Sequence, residues 1–308
     1  MQAYDVLTIG RSCVDFIIVV DEFPHENSKM SLDSRLMEAG GQGGTSACCV
    51  SKLGGKVSYI GQIGDDTEGQ FCLSRLRAFD VDTNFTKIIP KGKTPVAYII
   101  VTKSNGNRTI VYEKNSLPRL NIKNIPQDLI FNSKVIMIDP ETTYLIKDLN
   151  RKQEAKIVYD CERWQPDMEY MLKCADFFIP SSEFLDSADL FNKNEQFFKK
   201  IFRLNQMVKN KLIITSGENG AYFFNNNNLF HVEVPKANVK DTIGAGDNFH
   251  AAFSLAISKK YDLHEAVKFA VSVATLSCSE YGGKNGIPRF HLAQDVANKL
   301  KVKKIDAF

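Results

Sequence analysis

DTIGAGDNFHAAF, residues 241–253, packs two glycines and an alanine between two aspartates and then enters an apolar, alanine-rich segment. Glycines cost backbone entropy, so a cluster of them marks a sharp bend or a close approach by something outside the chain. Phe249, Ala252, Phe253 and Ala256 follow at i, i+3, i+4 and i+7, the spacing of a buried or amphipathic helix. Gly244, Ala245, Gly246 and Asp247 therefore open that helix, where free backbone N–H groups meet the positive end of the helix dipole and make an anion site. The local residues leave two readings: Asp247 only caps the helix, as aspartates commonly do, or it is a reactive carboxylate beside a bound anion. The rest of the chain has to decide.

Its 308 residues fit one large α/β domain as well as two average ones, and long enough to bury a substantial core. Hydrophobic residues at 44% and charged residues at 24% are ordinary globular values, and no stretch approaches the length of a membrane span. The net charge of +3 is small, with lysines and arginines scattered among acids, so there is no footprint for nucleic acid. MQAYDVLTIG turns strand-like almost at once and lacks the charged-then-apolar pattern of a signal peptide, which makes the cytoplasm the expected location. Seven cysteines without a C-x-x-C pair or nearby histidines read as small buried residues with reduced thiols rather than a zinc site.

Apolar β-branched runs recur at VLTIG, KVSYIGQIG, KVIMID, AKIVYD, DFFIP and KLIITSG. Several are continuous rather than alternating, as in strands covered on both faces. Helical patterns separate them at residues 45–53, 70–79, 195–208 and 265–277, so the chain predicts a mostly parallel sheet with helices on both sides. Two excursions break the alternation. TPVAYIIVTKSNGNRTIVYEKN carries two β-rich runs around Asn105-Gly106-Asn107, and residues 14–38 read as extended segments around a turn at Pro24. Together, at about 14–38 and 96–113, they predict a small antiparallel sheet standing off the main one and able to act as a lid. AYFFNNNNLFHVEV reads as a second hairpin with a solvated asparagine turn.

There is no G-x-x-x-x-G-K-[ST] loop and no G-x-G-x-x-G after the first strand. Gly40-Gly41-Gln42-Gly43-Gly44-Thr45 instead joins a strand to a helix, its glycines permitting close backbone approach while Gln42 and Thr45 offer neutral hydrogen-bonding groups suited to hydroxyls.

GGQGGTSACCVSKLGG from residue 40, IGDDTEG from 63, TSGENG from 215 and DTIGAGD from 241 occur in the order and approximate spacing of the ribokinase-like, or PfkB, carbohydrate kinases, and the chain resembles that family over nearly its whole length. NRTIVYEKNSLP is similar to the lid region of ketohexokinases, and the stretch from FHAAF through GGKNGIP looks closer to sulfofructose kinases. The resemblance implies one domain over residues 1–308: a three-layer α/β/α core with a mostly parallel central sheet, a small β-sheet lid, and transfer of the ATP γ-phosphate to a sugar hydroxyl. It implies Asp247 as general base, with Gly244, Ala245 and Gly246 forming an anion hole around the transferred phosphoryl. A carboxylate beside the acceptor hydroxyl takes its proton as attack develops, while the helix-start N–H groups stabilise phosphate charge.

The same resemblance places Asp15, whose two acceptor oxygens suit vicinal hydroxyls, and Gly41 at the sugar. Gln42 stands where Asn or Lys is frequent and Thr45 replaces a frequent sugar-binding Asn, departures that put the sugar itself in doubt. Arg108 matches a lid arginine that approaches substrate or phosphates, although a solvent-facing hairpin arginine is an equal reading. Thr215, Gly217 and Gly220 match the nucleotide-binding turn, Asp241 and Thr242 the start of the anion-hole motif, and Gly283 the border of the adenine. Where many members have Asn-x-x-Glu to organise magnesium through water, this chain has Pro180-Ser181-Ser182-Glu183, so Glu183 is either that acid or a simple helix-start carboxylate. ATP and Mg2+ are the implied cofactors and K+ beside the anion hole an optional one, while the lid sheet, whose apolar face needs cover, predicts a two-fold homodimer through the lids. Beside a kinase of a small neutral sugar, such as a ketohexose, stand a nucleoside kinase of the same fold and a non-catalytic sugar-binding relative.

Overall fold

Residues 3–104, 106–164, 166–187, 189–192, 194–208 and 211–306 are described by a computed structural model. The first half of the chain runs through β1 (Tyr4–Ile9), β2 (Cys13–Val20), β3 (Ser34–Gly40), α1 (Gln42–Lys52), β4 (Val57–Ile60), β5 (Gln62–Gly64), α2 (Thr67–Ala78), β6 (Lys87–Ile89), β7 (Val96–Thr102) and β8 (Arg108–Tyr112). It continues through α3 (Gln127–Phe131), β9 (Ser133–Ile138), β10 (Lys156–Cys161), α4 (Met171–Cys174), β11 (Phe177–Pro180), α5 (Ser182–Ser187), α6 (Phe197–Met207), β12 (Lys211–Thr215), β13 (Ala221–Asn225), β14 (Asn228–Val232), α7 (Ala245–Ser258), α8 (Leu263–Ser277), α9 (Phe290–Ala297) and β15 (Val302–Ile305).

The central sheet has the order β15-β14-β13-β12-β11-β10-β9-β1-β4. Its pairs from β4 to β12 are parallel, and the three beyond β12 are antiparallel. Successive strand residues feed opposite cores, because side chains alternate across a strand. Val6, Val135, Met137 and Ile179 pack with Phe249, Phe253 and Phe269 of α7 and α8. Leu7, Ile136, Ile138 and Phe178 pack with Leu129, Leu185 and Leu204 on the other side. The continuous apolar runs of the sequence are thus strands covered on both faces. The asparagine run makes a two-residue hairpin turn in which Asn226 and Asn227 take φ of 48° and 63°, left-handed values that asparagine tolerates.

The two excursions meet in a separate four-stranded sheet, β3-β2-β7-β8. It is mixed rather than antiparallel as the sequence suggests: β2 and β7 run parallel from Val14↔Val96 to Val20↔Thr102. Between them the chain passes through the core from α1 to β6 and returns in the same direction, which a hairpin does not do. Asp15, Ile17, Ala97 and Ile99 share one face of this sheet; Phe16, Tyr98 and Val111 share the other, with the Phe16 and Tyr98 rings stacked at 5.6 Å. Asn105, at the expected turn of the β7–β8 hairpin, lies outside the described residues.

Helix α1 begins at Gln42, earlier than the 45–53 pattern suggests, and includes Gly43 and Gly44. A Cβ on Gly43 would stand 2.8 Å from the Cα of Gly10, so close packing on the β1–β2 turn overrides the poor helix propensity of glycine here. Strand β15 has no strong sequence signal; its lysines Lys303 and Lys304 suit the outer edge of a sheet.

Candidate active site

Parallel strands bring their carboxyl ends to one edge, and the loops that follow carry the polar residues, the usual place for a ligand in an open α/β sheet. Gly10 and Arg11 follow β1, Asp139 follows β9, Asp160 ends β10 and Ser181 follows β11. The start of α7 reaches the same edge: the His250 ring lies 3.4 Å from the Asp160 carboxyl and 3.0 Å from the Ile179 carbonyl.

The loop before α7 turns on Gly244, which caps the helix in a left-handed conformation (φ 69°, ψ 6°). A Cβ there would stand 2.9 Å from the Cα of Gly283 and 3.3 Å from the Thr45 methyl, so both conformation and space require glycine. Asn248 donates from Nδ2 to the Gly283 carbonyl at 2.8 Å and fastens that neighbour in place. Asp241 shapes the loop from below, one carboxyl oxygen accepting from Ile243 N (2.9 Å) and the other from Gly282 N (2.8 Å). Ala245 N is turned back to the Thr242 carbonyl at 3.3 Å. Gly246 is exposed, and a Cβ on it would meet nothing within 4 Å. First-turn amides of a helix lack intrahelical partners, so the N–H groups of Gly246 and Asp247 are the donors that helix geometry leaves for an anion.

Asp247 is half-buried beside them, its own carbonyl accepting from Ser46 Oγ of α1 at 3.1 Å. Withdrawal from water pushes its carboxyl from 3.8 up to about 8; the charges of Asp160 and Glu162 add to this and His250 opposes it. A carboxyl poised near neutral pH is suited to taking a proton and holding it.

Asp15 lies on the cleft-side face of the small sheet, 8% exposed. Burial pushes its carboxyl up to about 6, with Cys13, Lys284 and Arg11 pulling it back. Cys13 Sγ donates to it at 3.3 Å, and a Cβ on Gly40 would stand 1.9 Å from one of its oxygens, so the glycine clears the room that the carboxyl occupies. Gly41 has φ +84° and packs on the backbone of Arg11. Gln42 is buried with its Nε2 donor unpartnered among the described residues, and Thr45 is buried against the anion loop. Arg108 of β8 spans from the small sheet to that loop, donating from Nη1 to Thr242 Oγ1 at 2.9 Å.

Thr215 ends β12 and bridges to Ser181 at the start of α5; the turn beyond it uses Gly217 (φ +51°) and Gly220 (φ +82°). A Cβ on Gly220 would stand 2.0 Å from the Val232 carbonyl, which makes glycine a steric requirement there. Glu183 is exposed in the first turn of α5, and no described contact joins it to Asp247. No group of three or more His, Cys, Asp or Glu among the described residues is arranged to hold a metal.

Several residues enter the site without having been singled out in the sequence. Asp139 is buried, its carboxyl pushed up to about 6 by burial; it accepts from Arg11 N at 2.6 Å and caps the following turn at Thr142. Glu38 is held by Arg75 at 2.9 and 3.0 Å, with the buried Lys284 ammonium 3.8 Å away. His250 and Asp160 lie under Asp247. The available signal was that KVIMID and AKIVYD both end an apolar strand on an aspartate.

The model of the pfkB family of carbohydrate kinases matches residues 3–289. A deoxyribokinase of Salmonella typhimurium is 25% identical over 92% of this chain and 95% of its own length. A ketohexokinase of Mus musculus is 25% identical over 92% and 98%, respectively. Among solved structures, an E. coli protein in complex with ATP and Mg2+ superposes with a TM-score of 0.75 at 18% identity, covering 96% of this chain and 99% of that one.

Proposed function

Because the chain belongs to the pfkB family of carbohydrate kinases, whose members are ATP-dependent, we propose that it phosphorylates a small neutral sugar, a ketohexose or a close derivative, with Asp247 as general base. The observation that carries this reading is the start of α7, where a carboxyl poised near neutral pH sits in the first turn with the amides of Gly246 and Asp247. Gly244, Ala245 and Gly246 would cradle the γ-phosphoryl of MgATP. A bond forms between the sugar oxygen and γ-phosphorus as the bond to the β-γ bridging oxygen breaks. The hydroxyl proton passes to Asp247, and the amides stabilise charge on the phosphoryl oxygens.

Asp15, Gly41, Gln42 and Thr45 form the sugar side in this reading. Gln42 brings an unpartnered neutral donor rather than a cation, which favours a hydroxyl over a sugar phosphate. Thr215, Gly217, Gly220, Thr242 and Gly283 form the nucleotide side. Asp241, with both carboxyl oxygens on backbone amides, shapes the loop rather than touching ATP. K+ beside the anion hole stays an optional ion of this reading. Glu183 would be the acid that meets the hydrated Mg2+ of the nucleotide if it does more than start α5.

Turnover of ATP across fructose, ribose, deoxyribose, sulfofructose, fructose 6-phosphate, adenosine and inosine tests the reading. The highest kcat/KM is expected with a neutral sugar, and the phosphorylated product identifies the hydroxyl. Preference for a nucleoside or for fructose 6-phosphate would overturn the substrate class. Thermal stabilisation by a sugar without ADP formation on any acceptor would overturn the enzyme assignment.

Residues 14–38 and 96–113 act, on this reading, as a lid of one kinase domain, closing over the sugar to keep water from the phosphoryl. Its outer face exposes Met37 (46%) on β3, Tyr98 (54%) on β7 and Val111 (62%) on β8, an apolar surface that a second copy would cover in a two-fold homodimer. Sedimentation at micromolar protein is expected to give a dimer, and a strictly monomeric species would sink this assembly. No helix among the described residues is long and apolar enough to cross a membrane, and the seven cysteines are free thiols, which suits a reducing compartment such as the cytoplasm.

A further inference from the structure

We propose that His250 is a positioning residue of the transfer site, clamping the Gly246 end of the anion hole to the central sheet and holding a proton next to Asp247. His250 lies one turn beyond Gly246 on α7. Its Nδ1 is 2.7 Å from the Gly246 carbonyl, and its Nε2 is 3.0 Å from the Ile179 carbonyl at the end of β11 and 3.4 Å from Asp160 Oδ1 at the end of β10. Carbonyl oxygens only accept. A neutral ring has one N–H, so it would leave a nitrogen lone pair against one of the two carbonyls; an imidazolium donates to both.

A charge on this buried ring needs a partner, and Asp160 is placed for it. Asp160 is 2% exposed, and its second oxygen has no hydrogen-bond partner among the described residues. Burial, the largest effect, holds the pKa of His250 below its ordinary value although the two carbonyls and the charges of Asp247 and Glu162 work against that, so a proton stays on the ring only through the paired carbonyl contacts and Asp160. Burial likewise pushes the Asp160 carboxyl well above the usual range, with Glu162 and Asp139 adding to it. The groups around the ring are therefore Asp160 and Glu162 from β10 and the residues after it and Asp247 from its own helix, with Asp15 acting on Asp247; β11 contributes only a carbonyl, and α1 meets the helix with Ser46 and Cys49. Two buried carboxyls and one imidazole share protons, and the carbonyl contacts favour the ring as a proton's resting place. A cation at the ring works against the burial that pushes the Asp247 carboxyl up to about 8, so that more of it is ionised and ready to take the sugar proton near neutral pH, and His250 itself loses and gains no atom in the transfer.

The role rests on the kinase reading for its meaning, but its test does not depend on turnover. The Asp247 carboxyl is titrated by 13C NMR in the full-length protein and in His250→Asn and His250→Gln variants, with Asp247→Asn identifying the resonance. Loss of a positive neighbour is expected to raise the Asp247 midpoint by about one pH unit in both variants, the lower end of what an adjacent charge does. Asp160→Asn removes a charge that raises Asp247 directly and is expected to move the midpoint down, the opposite sign to the His250 variants. In wild type, 15N shifts of the His250 ring are expected to show both nitrogens protonated at pH 7. With an accepted sugar, the acid limb of kcat/KM should follow the same shifts, with KM for ATP changing little. A neutral ring at pH 7, or an Asp247 midpoint unmoved by His250→Asn and His250→Gln, would overturn the proposal. A protein that phosphorylates none of the acceptors yet shows these titration shifts would overturn the kinase reading alone.

Discussion

Asp247→Asn is expected to abolish most phosphoryl transfer while leaving a folded protein that still binds MgATP, lowering kcat by about 10²–10⁴-fold, the usual contribution of a positioned base. The amide keeps the shape of the helix start and the Gly246 amide but cannot accept the sugar proton. The same change should stabilise the fold, because Asp247 is held against its own ionisation. Its folded pKa of about 8 lies above the ordinary 3.8, so the stability it contributes is full below pH 3.8 and is lost as pH rises through 8. Across that window the ionised unfolded chain gains on the fold by up to about 1.4 kcal/mol per pH unit, a penalty the asparagine escapes. The melting temperature of the variant should therefore exceed that of wild type by a margin that grows from pH 5 to pH 8. Near-normal kcat would remove Asp247 from the base role, and a margin independent of pH would remove the titrating carboxyl from the stability account.

Asp15→Ala is expected to raise KM for the sugar roughly ten- to a hundredfold with little change in KM for ATP, because a hydrogen bond to a charged group contributes about 1.5–3 kcal/mol. Asp15 sits on β2 of the small sheet and the proposed nucleotide turn follows β12 of the central sheet, so on that proposal the effect should divide between the two substrates. Its carboxyl is pushed up to about 6, so wild-type affinity for the sugar should also weaken as pH falls through 6, and the alanine variant should lack that dependence. Equal increases in both KM values would contradict the sugar-side placement.

Most of what was legible in the sequence was local. Strands read from apolar runs, α7 and α8 from a 3.6-residue period, and the asparagine hairpin from its turn residues; each depends on neighbours a few positions away. The glycine clusters and Asp247 were legible for the same reason, since a left-handed cap and its first turn are written in adjacent residues. Glu183 shows the limit: a carboxylate at a helix start reads the same whether it serves a metal or only the dipole, and its exposure on α5 leaves that pair of readings where the sequence left it.

The sequence by itself determined the fold class, the family likeness and the carboxylate at the helix start. Only the tertiary structure decided what surrounds that carboxylate. Arg11 meets Asp139 across 128 positions and His250 meets Ile179 across 71, and no periodicity or turn signal encodes such pairs. The parallel pairing of β2 with β7 was likewise invisible, because the direction of a returning strand depends on the path between, here a passage through the core from α1 to β6. Short-range sterics and hydrophobic period are properties of a segment; charge, burial and proton sharing are properties of the space that several segments enclose, and they exist only once the chain has closed around it.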